Sequence, residues 1–229
     1  DVLGSRGLGD VYKRQLLSIC SISSIAIPLQ VSATDDLEIQ SKSAALVDFD
    51  SGTILYEKDA TTHLPIASMV KMMTILLTLE EFEKGNLTEE TLITTSENAS
   101  SMGGSQVFID PYVEYSAGDL LKSVIIASAN DASVALAEAI SGSEKTFVNK
   151  MNEKAKELNM NDTNYVNCTG LPAPMQYSCA KDSAIVLKEV SKYDLYHKYS
   201  TIWMDELIHP SGRKTELVNT NRLIRYYDG

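Results

Sequence analysis

The spacing of apolar residues changes period several times along the chain, and each change marks an element. From Ser43 the run AALVDFDSGTILYEKD alternates, with Val47 and Phe49 set against polar neighbours, Asp50-Ser51-Gly52 supplying turn chemistry, and Ile54 and Tyr56 resuming the alternation. Period two on both sides of a Gly-containing turn predicts a β-hairpin. After Pro65 the period becomes helical. Met69, Met72, Met73, Leu76, Leu77 and Leu79 fall on helical spacing, Glu80 to Lys84 is charged, and Gly85 is a natural stop, so a helix is expected over residues 67–84. Ser116-Ala-Gly-Asp119 reads as a capping box opening a second, apolar helix (Leu120, Leu121, Val124, Ile125, Ile126). Its polar break at Ser128-Ala-Asn130-Asp131 precedes another helix through Ile140, ended by Gly142. An amphipathic, charged surface helix is expected over 143–159, a short strand at Asn164-Tyr-Val166, a further helix over 182–195 and extended chain over 201–223. No internal repeat or linker-like stretch interrupts this order.

Composition narrows the class. At 229 residues the chain can form one large domain or two small ones, and a 44% apolar content is enough for a core. The formal net charge of -11 argues against a nucleic-acid partner, which would need clustered Lys and Arg against phosphate. Cys20, Cys168 and Cys179 lack metal-ligand spacing. Cys168 and Cys179 could close a short loop in an exported protein, but two free, partly buried thiols are the favoured reading.

The N-terminal stretch carries a second kind of signal. Leu16 to Leu29 is apolar and too short to span a bilayer well, and Val31-Ser32-Ala33 after it is a small-x-small pattern. Residues 16–33 are therefore expected to be part of a secretory signal, with the mature chain (34–229) beginning near Thr34. Upstream, Asp10-Val-Tyr-Lys-Arg-Gln15 matches one reading frame of a transposon end used in sequencing libraries, so residues 1–15 are expected to be translated adapter. Independently prepared genomic DNA tests that expectation.

Two constellations carry chemistry. Ser68 and Lys71 stand at i and i+3, on one face of a helix. A serine hydroxyl is a weak nucleophile until a base takes its proton, and a desolvated lysine of lowered pKa can do so. A serine in the first turn also places developing negative charge at the helix N-terminus. The spacing alone is weak evidence, because Ser178-Cys-Ala-Lys181 repeats it. Position favours Ser68: first turn of a long apolar helix, just after Pro65. Ser128-Ala129-Asn130, at a break between two apolar helices, can point a hydroxyl and an amide into a cleft. Ser96-Glu-Asn98 repeats that pattern too, and a lone S-x-N is usually a helix cap.

Taken together these residues resemble a family. Asp50-Ser-Gly-Thr-Ile-Leu-Tyr-Glu-Lys58, Leu64-Pro-Ile-Ala-Ser-Met-Val-Lys-Met-Met-Thr74, Met102-Gly-Gly-Ser105, Ser128-Ala-Asn-Asp-Ala132, Asn167-Cys-Thr-Gly-Leu171 and Asn219-Thr-Asn-Arg-Leu223 are similar to segments of the serine D-Ala-D-Ala carboxypeptidases, the low-molecular-mass penicillin-binding proteins, in the same order. The resemblance covers residues 43–229. It implies a mixed α/β (α+β) serine β-lactamase/transpeptidase-like domain, a helical cluster beside an antiparallel sheet with the active site between them. It implies Ser68 as acylated nucleophile, Lys71 as general base, Ser128 as proton relay and Asn130 as substrate ligand, with neither metal nor organic cofactor. The implied partners are a peptidoglycan stem peptide ending in D-Ala-D-Ala and β-lactams as covalent inhibitors, at an extracytoplasmic location, with a C-terminal membrane anchor in many relatives.

One departure stands out. The family's third motif, Lys-Thr-Gly on a strand edging the cleft, should follow the Asn-Thr-Asn segment, and no such triplet does. Lys214-Thr215 is followed by Glu216 and precedes Asn219, so it is not that motif; glutamate would block substrate where glycine lets it lie flat. The expectation is an N-terminal part of the domain, truncated at its C-terminal side, inactive as it stands and poorly folded over 34–229 alone. Two alternatives carry weight: a β-lactamase of the same fold, disfavoured because no clear deacylating Glu in a dedicated loop is recognised between 128 and 200, and a non-catalytic binding module.

Smaller candidates read as structural. His63, His197 and His209 show no Asp/His partner pattern and are expected to be unpaired. Met69, Met72, Met73 and Met102 read as core filling and Trp203 as packing. Glu80, Glu81 and Glu83 read as a solvated helix end.

Overall fold

Period two before Pro65 and a helical period after it reappear as a hairpin followed by a buried helix in the computed structural model, which describes residues 39–226. The expected adapter, signal segment, Cys20 and start at Thr34 lie outside the described residues. From Ser41 onward the described residues belong to one compact unit.

In chain order the elements are β1 (Ala44–Val47), β2 (Ile54–Lys58), a 3-10 turn (Ala67–Val70), α1 (Lys71–Glu83), β3 (Leu92–Thr94), α2 (Glu97–Ser100), β4 (Glu114–Ser116), α3 (Ala117–Ala127), α4 (Asn130–Ser141), α5 (Glu144–Glu157), α6 (Ala180–Val190), α7 (Asp194–Ser200), β5 (Met204–Ile208), β6 (Lys214–Val218) and α8 (Leu223–Tyr226). The class is the mixed helical and antiparallel one expected. Among the described residues the strands form three separate two-stranded antiparallel sheets, β1–β2, β3–β4 and β5–β6.

α1 is the centre of the helical cluster. Met73, Ile75, Leu76, Leu77 and Leu79 are buried together with Thr74 and Thr78, so the helix is covered around most of its circumference by α3, α4, α5 and α6. Thr78 keeps its hydroxyl satisfied by donating to the carbonyl of Thr74. Ser116 and Gly142 act at helix ends as expected, and Ser143 is a further cap. Ser116 accepts from the amide of Asp119 at 3.0 Å to start α3, Ser143 accepts from Thr146 to start α5, and Gly142 ends α4 with φ of 74°.

Three readings of secondary structure need correction. Phe49 lies in the β1–β2 turn, which starts at Asp48, whose carboxylate accepts from the amide and hydroxyl of Ser51. Residues 164–166 make only an isolated bridge, Asn164 to Tyr177, because Asn152 occupies the backbone of Tyr165 from the other side. The helix expected over 182–195 is two, α6 and α7, separated at 191–193, and α6 begins earlier, with Cys179 as its cap. The mostly extended chain expected over 201–223 is the hairpin β5–β6.

His209, expected to be unpaired, is 1% exposed and fully partnered. Nδ1 lies 2.8 Å from the Tyr115 hydroxyl and 3.1 Å from Arg213 Nη2, and Nε2 lies 2.8 Å from Thr215 Oγ1. Since Arg213 can only donate, Nδ1 accepts, and the ring is neutral with its proton on Nε2. It fastens the β5–β6 turn to β4. His63 also has a partner, Asp162 at 2.9 Å, and stacks on Tyr177. Glu80 pairs with Lys84 and Lys154, so that helix end is a partly buried ion-pair cluster rather than a freely solvated one. Met69 is 47% exposed, not core filling.

Candidate active site

Ser68 sits in the 3-10 turn that leads into α1, and Lys71 is the first residue of the α-helix proper. The tight turn brings Lys71 Nζ to 3.3 Å from Ser68 Oγ. Entry into that turn is strained: Ala67 has φ of 47°, an unusual value for a residue with a β-carbon. Ser68 is exposed while Lys71 is only 3% exposed, so hydroxyl and amine meet at the boundary between solvent and core.

The second anchor of the amine comes from far along the chain. Lys71 Nζ donates to the carbonyl of Thr169 at 2.6 Å, and no carboxylate pairs with it among the described residues. Burial therefore acts on it without a compensating anion and lowers its pKa to about 8. A deprotonated amine held this way keeps one N–H for Thr169 and can turn its lone pair to the serine hydroxyl.

Thr169 belongs to the turn 167–171. Asn167 Oδ1 accepts from the amides of Thr169 (3.2 Å) and Gly170 (2.8 Å), an Asx-type fold. Gly170 has φ of 85°, and a β-carbon on it would stand 2.0 Å from the carbonyl oxygen of Ala67. The turn thus lies directly on the backbone that presents Ser68.

Ser128 is the left-handed C-cap of α3, with φ of 57°. Its hydroxyl oxygen is buried and makes no hydrogen bond within the described residues. A buried hydroxyl without a partner is costly and marks a place where a ligand or a proton path can use it. Asn130 opens α4, is 4% exposed, and donates from Nδ2 to the carbonyl of Gly103 at 2.7 Å. Its own amide donates to the carbonyl of Ser105. Next to it Asp131, fully buried, accepts from the amides of Val107 and Ile109 and so pins the segment 105–109 against α4.

Ser68, Lys71 and Ser128 line one cleft of about 290 Å3, together with Val124 and Ile125 of α3, Tyr196 and Ser200 of α7, and the turn 219–221. Asn130 is not among its lining residues. Thr169, Gly170, Asn167 and Asp131 were not named as site residues, although the segments 167–171 and 128–132 that contain them are among those that carry the family resemblance.

Both repeated motifs turn out to be architectural. Ser178 pairs its backbone with Leu64, its hydroxyl lies 2.8 Å from that of Thr163, and it makes no bond to Lys181. Ser96 caps α2, accepting from the amide of Ala99 at 2.9 Å. Lys214 pairs with Glu206 and Thr215 with His209, so neither faces the cleft. Cys168 and Cys179 are buried free thiols, and burial raises both pKa values. Among the described residues no group of His, Cys, Asp and Glu is arranged to hold a metal ion.

Comparison with known proteins bears on this geometry. The family model Peptidase S11, D-alanyl-D-alanine carboxypeptidase, matches residues 30–228. The chain is 47% identical over 196 residues to the D-alanyl-D-alanine carboxypeptidase DacF of Bacillus subtilis, covering 86% of this chain and 50% of that protein. It therefore spans about half the length of that curated relative. Among solved structures it is similar to the D-alanyl-D-alanine carboxypeptidase DacD of Francisella tularensis, with a TM-score of 0.79 at 26% identity, over 84% of this chain and 58% of the other. Penicillin binding protein 5 of Haemophilus influenzae superposes with a TM-score of 0.75 at 30% identity, over 82% and 55%.

Proposed function

Because the chain belongs to the D-alanyl-D-alanine carboxypeptidase family, we propose that it carries the nucleophile-bearing half of a serine acyl-transfer enzyme that removes the terminal D-Ala from peptidoglycan stem peptides. The observation that carries this reading is the Lys71 amine: buried, unpaired with any carboxylate among the described residues, and 3.3 Å from the Ser68 hydroxyl.

In the proposed reaction the neutral Lys71 amine takes the Ser68 proton as Oγ attacks the carbonyl carbon of the penultimate D-Ala. The N-terminus of α1 and the 3-10 turn face the negative charge that develops on the carbonyl oxygen. The C–N bond breaks, and the proton reaches the departing D-Ala nitrogen through the Ser128 hydroxyl, whose lack of a partner among the described residues leaves it free to relay. Water then cleaves the Ser68 ester with Lys71 again as base. Asn130 serves as a ligand to substrate amides. A β-lactam acylates Ser68 because its amide stands in for the D-Ala-D-Ala bond.

The small-x-small pattern at Val31-Ser32-Ala33 after an apolar run supports an extracytoplasmic site of action. Among the described residues no helix is long and apolar enough to cross a membrane.

The test is covalent labelling of the full-length gene product with a fluorescent penicillin. A stable adduct that disappears in Ser68→Ala supports the reading. Rapid turnover of the penicillin would point to a β-lactamase, and saturable binding with no covalent adduct to a non-catalytic module.

A further inference from the structure

The turn 167–171 has a hydrogen-bond economy that its length does not require. Asn167 Oδ1 receives three donors: the amide of Gly170 at 2.8 Å, the amide of Thr169 at 3.2 Å and the Thr169 hydroxyl at 3.3 Å. Its Nδ2 donates to the carbonyl of Leu171 at 2.9 Å. One side chain therefore closes the turn from within. Two outputs follow from that closure. The Thr169 carbonyl is aimed at Lys71 Nζ, and Gly170 is pressed against the Ala67–Ser68 peptide, where no β-carbon fits.

The rest of the turn is fastened independently. Thr74 donates to the carbonyl of Cys168, and the amide and thiol of Cys168 both donate to Glu144 Oε1. These bonds fix where the turn begins, but neither reaches Thr169 or Gly170. Among the described residues Asn167 is the side chain that bonds both Thr169 and Gly170; the one further bond to that pair from within the turn is the Leu171 amide donating to the Thr169 hydroxyl at 3.3 Å.

We propose that Asn167 is a positioning residue for the Ser68–Lys71 pair, its amide folding the turn that supplies the amine's acceptor, shields the amine from water and seats the nucleophile's backbone. Its catalytic consequence rests on the acyl-transfer reading above; its effect on Lys71 does not.

The test separates the two. In the full chain carrying 13C-labelled lysine, the Lys71 resonance is titrated by NMR in the wild type, Asn167→Ala, Asn167→Gln and Asn167→Asp. Gln keeps the amide but moves it by a methylene; Asp keeps the acceptor in place. In Ala and Gln the turn loosens, water reaches the amine, and its midpoint rises by about one pH unit or more towards the ordinary lysine range. In parallel, the rate of penicillin acylation at the high-pH plateau falls about tenfold or more in Ala and Gln, and stays within about threefold of wild type in Asp. Melting curves and backbone spectra establish that each variant is folded.

A Lys71 midpoint unchanged in folded Ala and Gln variants overturns the inference. So does a wild-type Lys71 that titrates as an exposed lysine. If none of the three variants folds, Asn167 is a structural residue and the positioning role falls. If the midpoints move as stated while the wild type forms no penicillin adduct, the positioning role stands and the acyl-transfer reading fails.

Discussion

Gly170 and Ala67 lie 103 residues apart in sequence, yet a β-carbon on the first would stand 2.0 Å from the carbonyl oxygen of the second. The contact is backbone on backbone, with no flexible side chain to yield. Gly170→Ala must therefore displace the peptide that precedes Ser68, and it adds a β-carbon at φ of 85°. We expect a loss of about 2–4 kcal/mol in urea unfolding. Penicillin acylation should fall about 100-fold or more, because the nucleophile loses its register. Wild-type labelling in this variant would show that the contact does not govern Ser68.

The acylation rate should follow the protonation of Lys71. With its pKa lowered to about 8 by burial, the amine is mostly charged at neutral pH, and the neutral base accumulates as pH rises through that value. A rate that climbs to a plateau above pH 8 is expected. Lys71→Arg keeps positive charge at every accessible pH and should abolish the rise. A pH-independent rate would remove Lys71 from the role of base.

Ser128 presents a trade between stability and chemistry. It holds φ of 57° with a β-carbon and a buried hydroxyl that has no partner among the described residues. Ser128→Gly removes both penalties, so it should stabilise the fold by about 1 kcal/mol. The same change deletes the proposed relay, and turnover of a D-Ala-D-Ala peptide should drop about 100-fold. A destabilised variant, or one with full activity, contradicts the assignment.

Asp131→Asn probes the support behind Asn130. The carboxylate accepts from the amides of Val107, Ile109 and Ala132, and an amide group must turn an N–H towards at least one of those donors. A loss of about 2–4 kcal/mol is expected in denaturant unfolding.

His209 gives the fold an acid-side limit. Burial, then repulsion from Arg213, lowers its pKa below the ordinary 6.5, while Asp110 and Asp131 act in the opposite sense. In the unfolded chain the ring takes up a proton near pH 6.5, whereas in the folded chain it does so only at lower pH. Its contribution is thus fully present above pH 6.5 and lost as pH falls towards the folded value. Unfolding free energy should decline between pH 7 and 5, with a shallower decline in His209→Gln. Equal slopes in the two proteins would place the acid sensitivity elsewhere.

Elements governed by neighbouring residues were legible from the amino-acid order. The hairpin turn near Gly52, the helix from Ala67, the cap at Ser116 and the stop at Gly142 all depend on residues within a few positions of each other. The site was legible in its first two members for the same reason, since Ser68 and Lys71 share a turn. What escaped depends on distant chain segments. Neither the partnering of His209 by Tyr115 nor the carbonyl of Thr169 above Lys71 leaves a local pattern, because a backbone acceptor has no residue identity to read. The division of 182–195 into two helices was missed because the apolar period runs through it, while the chain turns at Ser191–Tyr193 to lay Tyr196 beside the cleft.

The bond from Lys71 to Thr169 spans 98 residues. Until Thr169 has folded back onto α1 the amine lacks this acceptor, and in an unfolded chain it is solvated like any lysine. On the acyl-transfer reading, the potency of the motif is therefore a property of the closed fold, and an unfolded chain would be shielded from premature acylation by the openness of that long loop.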